Sequence, residues 1–225
     1  MKVVTWNLNY WLSKNTHHEA WSYLRTIIKP DVALLQEVRP PTLMPGEALT
    51  FQEVRGGWGT GVYSRDLPLT AIPLCEAHLG RVAGATVTLG NGKRLLSASI
   101  HAYSDRVFPR LADIMDAIVE AFADRPAIVG GDLNSARLAE AAWPNYGHRQ
   151  FWEKMDASRL VDCCQRMNGE ELQTYFRKDA EYPFQDDHLF VSRDLASGLQ
   201  ACDVIDTEVT RRVSDHIPLS IELAI

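Results

Sequence analysis

No apolar run in this chain of 225 residues reaches the ~20 needed to span a bilayer, so membrane insertion is not expected. Basic residues never run beyond pairs, as in Lys93-Arg94, Arg177-Lys178 and Arg211-Arg212, and the formal net charge is −6. Nothing global therefore draws the chain to nucleic acid or to an anionic membrane, and any anion-binding surface must be assembled locally by the fold. Cysteine is scarce: Cys75, Cys163, Cys164 and Cys202, with no CxxC pair. The adjacent Cys163-Cys164 suits neither zinc nor a structural disulfide, so reduced thiols are expected. No signal-peptide pattern precedes the strand-like start Val3-Val4-Thr5-Trp6, and no repeat, low-complexity tract or linker interrupts the rest of the chain. The expectation is a single domain over residues 1–225, cytoplasmic, with no obligate protein partner.

What is present is a succession of short apolar strands. Lys2 to Leu8, Val32 to Leu35, Leu69 to Leu74, Arg81 to Leu89, Arg94 to Ile100, Asp187 to Ser192, Gly198 to Asp206 and Ile217 to Ile225 read as strands. Phe51 to Val54 reads as a short one, and Asn91-Gly92 as a hairpin turn. Gly56 to Gly61 reads as a flexible connection into Val62-Tyr63-Ser64. Two stretches have helical spacing: His17 to Lys29, capped by Thr16, with Ala20, Tyr23, Leu24, Ile27 and Ile28 on one stripe, and Pro109 to Phe122. Ser135 to Glu153 reads as a loop with helical pieces. Hairpins mixed with βα units exclude a purely parallel sheet, and two packed sheets with helices outside accommodate so many strands.

The stretch Ala127-Ile128-Val129-Gly130-Gly131-Asp132-Leu133-Asn134 is a buried strand that ends in glycines and two polar residues. By itself it reads as a turn, since Gly, Asp and Asn are common turn residues. At strand spacing, however, Asp132 and Asn134 point the same way and share a pocket. The same arrangement recurs: Asn7 and Asn9, Glu37, His101, Asp187, and Asp215-His216 all lie where apolar strands stop. Singly, each reads as a solvated strand end, a partly buried histidine or a cap. Together they suit phosphoryl chemistry. Glu37 and Asp215 are hard oxygen ligands for Mg²⁺ or Mn²⁺, and Asp132 is a base for water. His216 paired with Asp187 is favoured as imidazolium.

The segments Thr5-Trp6-Asn7-Leu8-Asn9, Leu34-Leu35-Gln36-Glu37, Gly61-Val62-Tyr63-Ser64-Arg65, Gly130 to Asn134, Asp187 to Val191 and Ser214 to Pro218 resemble, in order and from end to end, those of the endonuclease/exonuclease/phosphatase superfamily. The resemblance implies a four-layer α/β/β/α sandwich, two packed mixed sheets with helices outside, and a site at one end of the sheets. It implies Glu37, Asn7 and Asp215 as metal-proximal residues, Asp132 to activate water and Asn134 to position water and phosphate. His216 is then the phosphate-contacting histidine, with Asp187 as its orienting partner. His101 is similar to the second histidine of the deoxyribonuclease I and sphingomyelinase branches. Tyr103 lies near the tyrosine of abasic-site endonucleases. Asn9 stands where those endonucleases usually have a second acid, and Phe184-Gln185-Asp186 lacks their usual arginine.

The superfamily implies a reaction type, metal-dependent phosphoesterase, and leaves the substrate open. A nuclease needs cations and aromatics near the site, which Arg106, Arg110, Arg137 and Arg149, with Trp143, Tyr146 and Trp152, are placed to supply. The opposing reading makes those arginines solvated and the tryptophans core. With nuclease as the first expectation, Asn9, Tyr103, Arg106 and Trp143 are substrate-binding and nucleic acid is the partner. A small-molecule or lipid-headgroup phosphoesterase and an inactive binding platform are the alternatives.

Overall fold

The structure, a computed structural model, describes residues 1–11, 13–105, 107–123, 125–176 and 184–225. Its strands are β1 (Lys2–Asn7), β2 (Val32–Val38), β3 (Ala48–Arg55), β4 (Trp58–Ser64), β5 (Leu69–Ile72), β6 (Val82–Thr88), β7 (Arg94–His101), β8 (Ala127–Asp132), β9 (Leu160–Asp162), β10 (Asp187–Ser192), β11 (Leu199–Val204) and β12 (Leu219–Leu223). Its α-helices are α1 (His17–Tyr23), α2 (Val107–Phe122), α3 (Ala139–Ala142), α4 (His148–Asp156), α5 (Cys163–Asn168) and α6 (Glu208–Val213).

Apolar residues sort by parity along the strands. Val3 and Leu34 join one cluster while their neighbours Val4, Ala33 and Leu35 join another. Ile128, Leu189 and Val191 part from Val129 and Phe190 in the same way. Because successive side chains point to opposite faces, a strand apolar at every position must be covered on both sides. Two six-stranded mixed sheets meet that demand, in the orders β11-β12-β1-β2-β4-β3 and β5-β6-β7-β8-β10-β9. One core lies between them. α1 and α6 cover the outer face of the first sheet, α2 and α4 that of the second. This is the α/β/β/α sandwich expected from the sequence.

Several local expectations need correction. Gly56-Gly57 make the turn, but Gly59 and Gly61 lie inside β4 and are not part of a flexible connection. A Cβ at Gly59 would stand 1.9 Å from the Gln52 carbonyl oxygen, so glycine is required there by the closeness of β3. The first helix runs through α1 into a π-helical turn, Leu24–Ile28, closed by Lys29 at φ 51°. The wider turn keeps Leu24 and Ile28 inward and swings Ile27 out to 63% exposure, so the expected stripe fails there, and Trp21 fills the face instead. Thr16 precedes α1 but its hydroxyl donates to the Ser13 carbonyl, and no side-chain cap forms. β9, α5 and α6 were not anticipated. The capping box that opens α6, between Thr207 and Thr210, lacks the Glu or Gln at its third position that marks such a box in a sequence.

Glu47 fastens the outer face of the first sheet. It accepts from Arg25 Nε and Nη2 (2.8 and 2.6 Å), the Tyr63 hydroxyl (2.8 Å) and the Met44 N–H (2.8 Å). Burial opposes its charge, yet these donors hold its carboxyl below the usual value of 4.5. A lowered folded pKa adds stability above the unfolded value, and that stability is lost as pH falls through the folded one. Glu47→Gln is expected to cost about 1–3 kcal/mol at pH 7 by urea denaturation. The gap between variant and wild type should narrow steadily below pH 4.5.

Candidate active site

β1 and β2 run parallel, as do β7 and β8, so all four end at one edge of the sandwich. β10 and β12 run antiparallel to β8 and β1 and begin at that edge. The register of the second sheet sets His101, Asp132 and Asp187 in one row across β7, β8 and β10. From the first sheet, Asn7 closes β1, and Glu37 stands near the end of β2 at φ 45°, beside a bulge. The two sheets meet here: Asn7 Nδ2 donates to Asp132 Oδ2 at 2.8 Å, and His101 Nε2 lies 3.5 Å from Glu37.

The glycines before Asp132 permit this closeness. A Cβ on Gly131 would stand 1.9 Å from the Ile100 carbonyl oxygen, at a φ of +143°. After Asp132 the chain does turn: the Asn134 N–H donates to Asp132 Oδ1 (3.0 Å), an Asx turn with Asn134 at φ 48°. Asp132 and Asn134 do share a cavity, but through that turn rather than through strand alternation.

His216 and Asp187 are paired at 2.7 Å, Nδ1 to Oδ2, both buried. Ser214 and Trp6 fix the loop, the Ser214 hydroxyl accepting from the His216 N–H and the Trp6 indole donating to the His216 carbonyl. The other Asp187 oxygen is buried and has no hydrogen-bond partner among the described residues. Burial opposes a charge on His216, but Asp187, Asp132 and Asp215 around it hold its pKa well above 6.5. The imidazolium therefore faces the cavity, its Nε2 3.9 Å from Asp132. His101 is the converse case. Burial, with Arg81 and His216 nearby, pushes it down to about 3. Arg81 Nη1 lies 3.3 Å from His101 Nδ1, and a guanidinium can only donate, which assigns the proton to Nε2, toward Glu37 and Asp132. Among the described residues, the side chain within hydrogen-bond distance of His101 Nδ1 is Arg81 rather than a carboxylate.

Acids crowd this cavity. Burial raises Glu37 and pushes Asp132 up to about 8 and Asp186 up to about 6. Such a field is relieved by a cation. The oxygen donors at hand are Glu37, Asp215 and the amides of Asn7 and Asn9, with Asn9 Nδ2 donating to Asp215 at 2.6 Å. No cluster of three or more His, Cys, Asp or Glu side chains in ligating array occurs among the described residues. Two carboxylates and amide oxygens, completed by water, fit Mg²⁺ or Mn²⁺ and not a closed zinc centre.

The cavity measures about 750 Å³. Asn9, Tyr103, Trp143 and Tyr146 line it. Arg106 lies outside the described residues. The other anticipated arginines are not among its lining residues: Arg110 pairs with Asp105 and lies over Tyr103 (5.0 Å), both of which line the cavity, Arg137 pairs with Asp156, and the backbone N–H of Arg149 donates to Glu140. Trp152 is core. The arginines that do line the cavity among the described residues are Arg55 and Arg81, accompanied by Trp11 and Trp58. The rule that found Glu37 would have found both arginines once pairing was known. β3 runs parallel to β2 and ends at the same edge with Arg55, and Arg81 precedes β6, which starts there.

Comparison with solved structures returns the same fold. The 3' phosphatase NExo from Neisseria, bound to a product DNA hairpin, matches at 22% identity over 100% of both chains with a TM-score of 0.74. An AP endonuclease from Archaeoglobus fulgidus matches at 16% identity over 100% of both chains, TM-score 0.76. A humanized TDP2 from D. rerio matches at 20% over 100% of this chain and 99% of its own, TM-score 0.74. No curated protein sequence matches. The model of the Endonuclease/Exonuclease/phosphatase family matches residues 4–216, nearly the whole chain and every strand-end residue of the site. The chain belongs to that family, whose members hydrolyse phosphate esters.

Proposed function

We propose that the protein is a metal-dependent phosphodiesterase, acting as a nuclease on DNA or RNA, with residues 1–225 working as one catalytic domain. The observation that carries this reading is the row His101–Asp132–Asp187, joined to the His216 imidazolium and, across the sheets, to Asn7. Glu37, Asp215 and the Asn7 amide would hold Mg²⁺ or Mn²⁺. When bound, the ion polarises the phosphoryl oxygen and offsets charge on the leaving oxygen. Asp132 accepts a proton from the attacking water, and its raised pKa makes it the stronger base. Water oxygen bonds to phosphorus as the ester P–O bond breaks. Asn134 holds water and phosphate in line. The imidazolium of His216, oriented by Asp187, stabilises the charge gathering on the phosphate, and the Nε2–H of His101 offers a second donor beside it.

Neighbouring structures described as a 3' phosphatase with DNA and as AP endonucleases support a nucleic-acid substrate. The net charge of −6, with Arg55 and Arg81 the arginines lining the cavity among the described residues, supports a second reading, a small phosphate ester. The test is hydrolysis of bis(p-nitrophenyl) phosphate, plain DNA, abasic-site duplex, RNA and small phosphate esters with Mg²⁺ or Mn²⁺. Glu37→Ala is expected to lose at least about a hundredfold, the range for a metal-supporting residue. Cleavage that survives Glu37→Ala unchanged refutes the metal assignment. Turnover of none of these substrates leaves the binding-platform reading in place.

A further inference from the structure

The cavity has two unlike banks. On one, Arg55 lies over Trp11 (5.6 Å to the ring centroid) and Arg81 over Tyr103 (4.7 Å). On the other stand Trp143 and Tyr146, both half-exposed, with the His148 ring 6.4 and 6.3 Å from theirs. Asp186 lines the cavity two residues after Phe184, whose ring packs on that of Trp143 at 5.1 Å, and so belongs to this second bank. Its backbone is pinned on both sides: the N–H donates to Thr174 Oγ1 (3.1 Å) and the carbonyl accepts from the Leu133 N–H (2.8 Å). Its carboxylate lines the cavity with no hydrogen-bond partner among the described residues. His148 Nε2, on the same bank, is also without one.

A carboxylate here repels phosphate, which the arginine bank attracts. The acidic bank therefore takes a part of the substrate that is flat enough to stack on indole and phenol rings and carries a donor for Asp186. A nucleobase has both properties, since all four bases carry an amine or imide N–H. A bare sugar lacks both the flat π face and the N–H.

We propose that Trp143, Tyr146 and Asp186 form a subsite for an intact nucleobase beside the scissile phosphodiester, with the Asp186 carboxylate accepting from an amine or imide N–H of that base. The proposal rests on the nuclease reading, and it separates this chain from enzymes built to receive an abasic sugar.

The test is equilibrium binding, followed by calorimetry, of the four deoxynucleoside 5'-monophosphates against 2-deoxyribose 5-phosphate. The nucleotides should bind at least about tenfold tighter, the worth of one stacked base. Trp143→Ala and Asp186→Leu should each reduce that ratio about fivefold or more, with the affinity for the sugar phosphate not weakened. Asp186→Asn, which keeps shape and one acceptor oxygen, should keep the ratio within about threefold and reports on folding at this position. Equal binding of nucleotides and sugar phosphate by the wild type overturns the proposal, as does an unchanged ratio in Asp186→Leu. Hydrolysis of bis(p-nitrophenyl) phosphate is read separately. Its failure alongside a retained base preference would remove the catalytic reading and leave the subsite standing.

Discussion

Asp132→Asn is expected to lower phosphodiester hydrolysis by about 10²–10⁴-fold, the range for losing a positioned general base. Asn cannot take the proton from water, while the shape that meets Asn7 and the Asn134 N–H is largely kept. The loss should therefore fall on kcat, with KM little changed. The same substitution has a second readout. Burial raises the Asp132 pKa from 3.8 to about 8, so the folded chain holds this proton more tightly than the unfolded one. The linked stability is fully present below about pH 4 and is lost as pH rises through about 8. Thermal melts of the protein in chelator should show that decline for the wild type, and a flatter profile for Asp132→Asn. A variant with full activity would remove Asp132 from the chemistry, and an unaltered melting profile would remove the buried-acid account.

Gly131→Ala is expected to have the largest effect on folding. The added Cβ would stand 1.9 Å from the Ile100 carbonyl oxygen, a contact with backbone that no rotamer relieves, at a φ of +143° where alanine is strained in any case. The cost should exceed about 4 kcal/mol, the exceptional range for one substitution. The protein should then fail to fold, or melt far below wild type by circular dichroism. Gly90→Ala, where nothing lies within 4 Å, should be close to neutral in the same measurement. A wild-type melting curve for Gly131→Ala would mean that β7 and β8 do not approach as closely as described.

What the sequence disclosed and what it withheld divide along one line. Residues at the ends of apolar strands were legible because strand ends are visible as changes of composition: Asn7, Glu37, His101, Asp132, Asp187 and His216 all arrive at one edge. The turn at Asp132 and Asn134 was legible as well, although its hydrogen bond, not strand alternation, is what aims both side chains. Contributions set by pairing were hidden. Arg55 and Arg81 reach the cavity because β3 and β6 lie in particular places and directions, and nothing in their own neighbourhood announces it. β9 and α5 are too short for periodicity to register. Gly56 to Gly61 misled because glycine serves turns and close strand approach alike; Gly57 serves the first and Gly59 the second.

The hydrogen bond from Asn7 to Asp132 crosses from one sheet to the other. Gln36 and Ser99 make a second crossing behind it, Gln36 Nε2 donating to the Ser99 hydroxyl (2.9 Å), which donates back to the Leu35 carbonyl (3.1 Å). The centre is thus split between two bodies whose relative position is set by their shared interior. A slide of one sheet along the other by about 1 Å, small for the fold, would misalign Asp132 and Asp187 against Glu37, Asn7 and His216 by an amount that costs on the order of 10²-fold in rate. The apolar filling between the sheets acts as the alignment jig of the catalyst, and the paired polar rungs lock its setting.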